Sequence, residues 1–263
     1  MLSLNVAGVR VDAISQMGLQ NEITRIIRSG GKQYLPNVNI HAINIARQDE
    51  KFRQFINRSP VVYCDGEGVR LGARLLGVKL PPRIVLTRWI WTLCQLCEQE
   101  QFTIFFLGGH PGSAEKAAEN LRRRFPRLKV AGWHDGYFAK TGPENERVIE
   151  MISQARPNVL CVCFGMPLQE HWVDDNFSRL RANVFIFGGS AFEYTAGLKK
   201  VAPAWMSDHG LEWLHRLFQE PRHLWKRYLL GNPLFLCGVL RQLLREGRQN
   251  GAKPPERSES PPS

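Results

Sequence analysis

No stretch of the chain approaches the roughly 20 apolar residues that a bilayer-crossing helix needs. The amino terminus lacks a basic segment followed by an apolar one, so no secretory leader is expected and the protein is placed in the cytoplasm. Acidic residues are in deficit, 24 against 35 Lys plus Arg, and the net charge of +11 calls for anionic partners. Nucleic acid, a membrane surface and phosphorylated substrates all qualify. No nucleic-acid reader motif accompanies the charge, so no nucleic acid is expected as partner. The chain has neither a GxGxxG fingerprint nor a Gly-Lys-Ser/Thr phosphate loop, which argues against a dinucleotide oxidoreductase and a P-loop enzyme. It has no repeat that would build a solenoid. Cysteines number six and lie mostly in apolar runs. Cys94 and Cys97 form a lone CxxC on a helical pattern, with no second ligand pair nearby, so buried thiols in a reduced interior are favoured over a zinc site.

What is present is globular: 43% hydrophobic and 22% charged residues over 263 positions. Apolar runs alternate with helical spacing. Leu4 to Val11 reads as a strand, Met17 to Arg28 as a helix stopped at Gly30-Gly31, Val38 to Ile45 as a strand and Arg47 to Asn57 as a helix. Val61 to Cys64 is the next strand, followed by a helix from Val69 to Leu76 and another from Ile84 to Gln99. Phe102–Leu107, Lys129–Gly132, Asn158–Phe164 and Asn183–Phe187 supply further strands, with helices over Ala114–Phe125 and Glu144–Gln154. This alternation predicts an α/β fold with a Rossmann-like parallel sheet.

Several strands end in glycine: Gly66 and Gly68 after Asp65, Gly108-Gly109, Gly165, and Gly188-Gly189. A strand, a glycine loop and a helix present backbone N–H groups and a helix amino terminus to a phosphate, although any tight strand-to-helix turn can use glycine. Asp65 falls at the carboxyl end of its strand, where a carboxylate can act as a general base; the alternative is a cap on the following helix. Several such loops at one sheet edge would build a shared ligand crevice.

Seven motifs occur in order: Asp65-Gly66-x-Gly68; Leu107-Gly108-Gly109 with Pro111-Gly112; His134-Asp135-Gly136-Tyr137-Phe138; Phe164-Gly165-x-Pro167-x-Gln169-Glu170; Gly188-Gly189 with Ala196-Gly197 and Ala202-Pro203; Gly210-Leu211-Glu212-Trp213-Leu214 through Arg216-Leu217; and Glu220-Pro221-Arg222 with Arg227-Tyr228. Over residues 4 to 236 the chain thereby resembles the WecG/TagA/CpsF family of bacterial glycosyltransferases. The resemblance implies transfer of a sugar from a UDP-sugar to a polyprenyl-diphosphate-linked saccharide at the inner face of the cell membrane, without metal or cofactor. It implies Asp65 as general base and Gln169 and Glu170 at the sugar-nucleotide pocket. Gly108, Gly109, Gly188 and Gly189 would form the phosphate-facing loops. Asn44 would match the Asn of the family's Thr-x-Asn strand, and Arg216, Arg222 and Arg227 its diphosphate-neutralising cations. Departures from the pattern are Ala42 for Thr, Leu86-Thr87-Arg88 for Gly-Thr-Asp, Leu168 for Lys, Glu193 for Asp and Val201 for Arg. Lost polar groups alter which sugar substituent is satisfied, so N-acetylmannosamine-type and glucosyl donors are equal expectations. Ala42, Leu168 and Val201 also prompt a second reading, a non-catalytic membrane-associated protein that binds the nucleotide sugar.

From Gly210 to Arg248, Trp, Phe, Tyr and Leu residues interleave with Arg, Lys and His. A basic amphipathic run of this kind suits an anionic membrane surface; packing helices with a solvated basic face is the alternative. The expected division is a core over 1–203, an active-site-completing, membrane-associating appendage over 204–248 and a disordered Pro/Ser-rich tail over 249–263. It leaves room for a homo-oligomer.

Overall fold

The computed structural model describes residues 1–203, 205–206 and 210–251, without the side chains of 223 and 246–251. The expected tail therefore lies outside the described residues from 252 onward, while 249–251 close the last helix.

Five parallel strands form the main sheet in the order β3 (Gln33–Leu35), β9 (Val184–Phe187), β8 (Val159–Cys163), β6 (Thr103–Gly108) and β7 (Lys129–His134). The inner strands β6, β8 and β9 are apolar almost throughout because both faces are covered, whereas the edge strand β7 is partly exposed. The period of two separates their side chains. Phe105, Leu107, Leu160, Val162, Phe185 and Phe187 enter one core layer, and Ile104, Phe106, Val159, Cys161, Cys163, Val184 and Ile186 the other. The second layer is closed by α1 (Gln16–Arg28), α5 (Leu86–Glu100) and α6 (Ser113–Arg124), and it also buries Cys94 and Cys97. Burial pushes the Cys97 thiol up to about 12 and raises Cys94, Cys161 and Cys163 as well.

The chain passes from β6 outward to β7, then crosses back to β8 on the other side of β6. The carboxyl ends of β6 and β8 thus flank the point where the winding reverses, which is where an open α/β sheet leaves a crevice. The two ends lie so close that a Cβ on Gly108, at φ +135°, would fall 2.3 Å from the Cys163 carbonyl oxygen.

Three local expectations are revised. Leu4 to Val11 is a hairpin, β1 (Ser3–Val6) and β2 (Val9–Asp12), turned at Ala7-Gly8. Val38 to Ile45 is not a strand. Pro36 ends β3, only Asn37–Val38 continues as β4, and the chain then enters α2 (Ile40–Ala46), whose first turn is capped by Asn39 accepting from the Ala42 N–H. The Asp65 strand is short and stands outside the main sheet. β5 (Tyr63–Cys64) pairs only with β4, in parallel register Asn37 to Tyr63 and Val38 to Cys64.

The remaining core helices are α3 (Glu50–Arg58), α4 (Glu67–Leu75), α7 (Gly142–Ala155), α8 (Leu168–Asn176) and α9 (Ala191–Thr195). The appendage comprises α10 (Glu212–Gln219), α11 (Pro221–Trp225), a π turn over Lys226–Leu230 and α12 (Gly231–Gly251). α12 docks on the core. Phe235 and Val239 are buried, Asn44 Nδ2 donates to the Gly231 carbonyl at 2.8 Å and Arg47 Nη1 to that of Leu234 at 3.0 Å. Gln242 bridges to the β1–β2 turn through Ala7 N–H and Asn5 C=O. By contrast Phe218, Trp225, Leu229, Leu230, Leu234, Leu236, Leu240 and Leu244 are exposed, so packing accounts for only about half of the appendage's apolar residues.

Candidate active site

Asp65 is oriented by its neighbours and caps no helix. The position before α4 is Gly66, which makes no side-chain cap bond. Asp65 N–H instead donates to Val38 C=O at 2.9 Å, extending the β4–β5 pairing by one rung. Its Oδ2 accepts from Asn37 Nδ2 at 2.8 Å and from Asn39 Nδ2 at 3.3 Å. Burial raises the carboxyl's pKa above its usual value; the Asn39 and Asn37 bonds oppose this, Glu212 adds to it and Arg83 opposes it. A carboxylate so placed is a stronger base than a solvated one.

Asp65 stands where two cavities meet. The larger, about 730 Å³, runs along the carboxyl edge of the sheet. It is walled by Gly109 and His110 after β6, Gly136 to Phe138 and Lys140 after β7, Phe164 to Met166 with Leu168 and Gln169 after β8, and Gly188 to Ser190 with Glu193 after β9. The smaller, about 390 Å³, opens between α4 and the appendage and is lined by Ile40, Glu67, Leu71, Arg83, Glu212, Trp213 and Tyr228. Asn39, His41, Asp65, Val85, Arg216 and Arg227 line both.

The walls are stiffened by polar ties. Gln169 Oε1 accepts from the N–H groups of Gly165 at 3.1 Å and Gly189 at 3.3 Å, and its Nε2 donates to Glu170 Oε1 at 2.8 Å. One side chain therefore holds the β8 and β9 loops together. Glu170 is buried, and burial pushes its carboxyl up to about 7 against the Gln169 bond. Lys140 Nζ donates to the Gly136 and Phe138 carbonyls at 2.7 and 2.8 Å, and burial brings it down to about 8. Glu193 Oε1 accepts from His110 N–H at 3.2 Å. At the rim the Tyr137 ring stacks on His110, centroids 4.8 Å apart. His41 is brought down to about 4 by burial and by nearby Arg227, so its imidazole is neutral at pH 7. Arg216 reaches Ser190 Oγ at 3.4 Å; burial disfavours its charge, but Tyr228, Tyr194, Asp65 and Glu212 favour it, and its pKa ends above the ordinary value.

The sequence-predicted residues divide accordingly. Asp65, Gly109, Gln169, Gly188, Gly189, Arg216 and Arg227 converge on the cavities. Gly108 lies behind them, packed on Cys163. Glu170 does not line the cleft and instead orients Gln169. Arg222 is exposed on α11 and lines neither cavity. Asn44 is also absent from both. It sits on helix α2, not on a strand, and binds the appendage. The strand-borne Asn pattern is met by Asn37-Val38-Asn39, on either side of which the amides hold Asp65. Sequence reading missed Asn37, Asn39, His41, Arg83 and Lys199. The one available signal was Asn39, three residues before Ala42 as a helix cap would stand. Among the described residues no group of three His, Cys, Asp or Glu is arranged to hold a metal ion.

Residues 4–249 match the sequence model of the glycosyl transferase WecG/TagA/CpsF family. The chain is 28% identical over 209 residues, 79% of each chain, to the N-acetylglucosaminyldiphosphoundecaprenol N-acetyl-beta-D-mannosaminyltransferase of Bacillus subtilis strain 168. It is 25% identical over 240 residues, 90% of this chain and 91% of the other, to the enzyme of that name from Staphylococcus aureus strain MW2. The relative of the same name from Bacillus spizizenii is 26% identical over 196 residues, 74% of each chain. With a match spanning sheet, cleft and appendage, the chain belongs to the WecG/TagA/CpsF family of glycosyltransferases.

Proposed function

We propose that the protein transfers a hexose from a UDP-sugar to a polyprenyl-diphosphate-linked saccharide by single displacement with inversion, Asp65 acting as general base. The observation that carries the reading is the meeting of two cavities at one oriented, base-strengthened carboxylate. The larger cavity takes the donor. Lys199, Arg216 and Arg227 on its wall face the diphosphate, while the N–H groups of Gly109, Gly188 and Gly189 are spent on Cys163 C=O, Val162 C=O and Gln169 Oε1 and serve to shape the loops; the exposed Tyr137 ring offers a stacking surface to the base. The smaller cavity takes the acceptor sugar, with Arg83 toward its diphosphate.

In the reaction the acceptor hydroxyl gives its proton to Asp65 as its oxygen attacks C1, and the C1–O bond to UDP breaks on the opposite face. Negative charge then builds on the UDP diphosphate, where Arg216 and Arg227 already stand. Neutral His41 can donate one hydrogen bond at the junction without competing for the proton. The curated relatives' names support an N-acetylmannosamine-type donor and a GlcNAc-diphosphoundecaprenol acceptor. The departures do not favour a purely binding protein: Ala42 is buried on α2 and Val201 is exposed outside both cavities, while Leu86, Thr87, Leu168 and Glu193 line the larger cavity, where they bear on which sugar it accepts and leave Asp65, Arg216 and Arg227 in place.

No helix among the described residues is long and apolar enough to cross a membrane. We place the protein on the anionic inner face of the cell membrane, with Trp225, Leu229, Leu230, Leu236 and Leu240 at the interface beside Arg222 and Arg241. The deciding experiment is turnover with a panel of UDP-sugars and an undecaprenyl-diphosphate-GlcNAc acceptor, wild type against Asp65→Asn. Wild-type transfer with an inverted anomeric centre is expected, and about 10²- to 10⁴-fold less from the variant. Near-normal turnover by Asp65→Asn removes the base from the mechanism.

A further inference from the structure

Glu212 stands at the start of α10 and Arg216 one turn later, so the two side chains leave the helix on the same face. Arg216 lines both cavities. None of the eight residues of α10 is fully buried: Trp213, Leu214 and Leu217 are half-buried, and the Trp213 ring packs on Tyr228 of the appendage itself, centroids 5.6 Å apart, so apolar packing alone does not set how near that helix stands to Asp65. Polar ties help to do so. Past its carboxyl end Glu220 pairs with Lys199, and Gln219 Nε2 donates to the Lys200 carbonyl at 3.0 Å. At its amino end Arg83 Nη2 donates to Glu212 Oε2 at 2.7 Å, with the two side chains only 17% and 13% exposed. Arg83 is itself referenced to the Asp65 strand, because the next residue, Ile84, donates its N–H to Cys64 C=O at 2.8 Å.

Resting on the reading of the larger cavity as a nucleotide-sugar site, we propose that Glu212 is a positioning residue that, through Arg83, pins α10 to the Asp65 strand and so holds Arg216 over the donor diphosphate. An open surface pair would be too weak for this task, worth about 0–1 kcal/mol. The Arg83–Glu212 pair is largely shielded from water, and removing one member leaves the other charge without that partner. The pair also spans the joint between core and appendage, where the smaller cavity is found.

The test is a double-mutant cycle on the full chain, with UDP affinity by calorimetry and kcat/KM for transfer as readouts and thermal melts to verify folding. Glu212→Gln is expected to lose about tenfold in both, with an unchanged melting temperature, and Arg216→Gln to lose more. If Glu212 acts through Arg216, the double variant is no worse than Arg216→Gln alone. A merely structural role would multiply the two losses, and that result, or a Glu212→Gln variant within twofold of wild type, overturns the inference. A wild-type chain that binds no UDP overturns the nucleotide-sugar reading and this inference with it. Wild-type binding with an indifferent Glu212→Gln overturns this inference alone.

Discussion

Asn37 donates its amide N–H to Asp65 Oδ2 at 2.8 Å, and with Asn39 it makes the carboxylate a doubly anchored acceptor. Asn39 has no choice of orientation, because its Oδ1 is committed to the Ala42 N–H at 3.1 Å as the cap of α2. The start of a helix thus aims the carboxylate.

A pH profile follows from this pair. Both bonds favour ionised Asp65, so removing either raises its proton affinity. In the proposed mechanism Asp65 acts in its ionised form. Asn37→Leu should therefore move the acidic limb of kcat/KM to higher pH by about one unit, the worth of one charge-assisted bond of about 1.5 kcal/mol, so that activity on the acid side of the limb falls about tenfold. A limb in the wild-type position would mean that Asn37 does not face the working carboxylate.

Glu170 gives a stability prediction of defined sign. Its folded pKa of about 7 lies above the ordinary 4.5 because burial disfavours the charged form. The folded state then holds a proton that the unfolded chain releases. The Glu170 contribution to stability is fully present below about pH 4.5 and is lost as pH rises to about 7, by up to roughly 3 kcal/mol. Glu170→Gln keeps an oxygen to accept from Gln169 and cannot ionise, so it should melt higher than wild type at pH 8, with the gap closing toward pH 4.5. Parallel melting curves across that range would contradict the assignment.

Thiol chemistry separates the two core layers from the appendage. Cys64, Cys94, Cys97, Cys161 and Cys163 are buried with raised pKa values, whereas Cys237 is exposed on α12. A thiolate reagent should label one cysteine of the six in the native protein and all six in denaturant. Labelling of Cys94 or Cys97 in the native state would show that the α5 layer opens.

What could be read from the chain was what is local. β6, β8 and β9 announced themselves as apolar runs ending in glycine, because strands buried on both faces need no alternation and a crevice edge needs close backbone turns. Asp65 was found by the same logic. Val38 to Ile45 misled because its β-branched residues fit either period, and the deciding contact was the Asn39 cap. Asn37 and Asn39 reach Asp65 across 28 and 26 residues, and Arg83 meets Glu212 across 129. No window of sequence contains those pairs.

The joint between core and appendage can be tested without touching a charged residue. A Cβ at Gly72 on α4 would lie 2.7 Å from Phe235 Cζ and 3.3 Å from Val239 Cγ2, so α12 seats where α4 has no side chain. Gly72→Ala should strengthen α4 itself by about 1 kcal/mol of helix propensity. It should also overpack the docking face at a cost of about 1–3 kcal/mol. The global melting temperature then changes little while α12 lifts. Arg227, carried on the π turn leading into α12, leaves both cavities, and kcat/KM is expected to fall by about tenfold, with faster trypsin cleavage at exposed Arg241 and Arg245. Gly72→Ala combined with Phe235→Leu removes the clashing ring and should restore activity toward wild type. Loss of activity that this second change does not relieve would mean that Gly72 matters to α4 and not to the docking of the appendage.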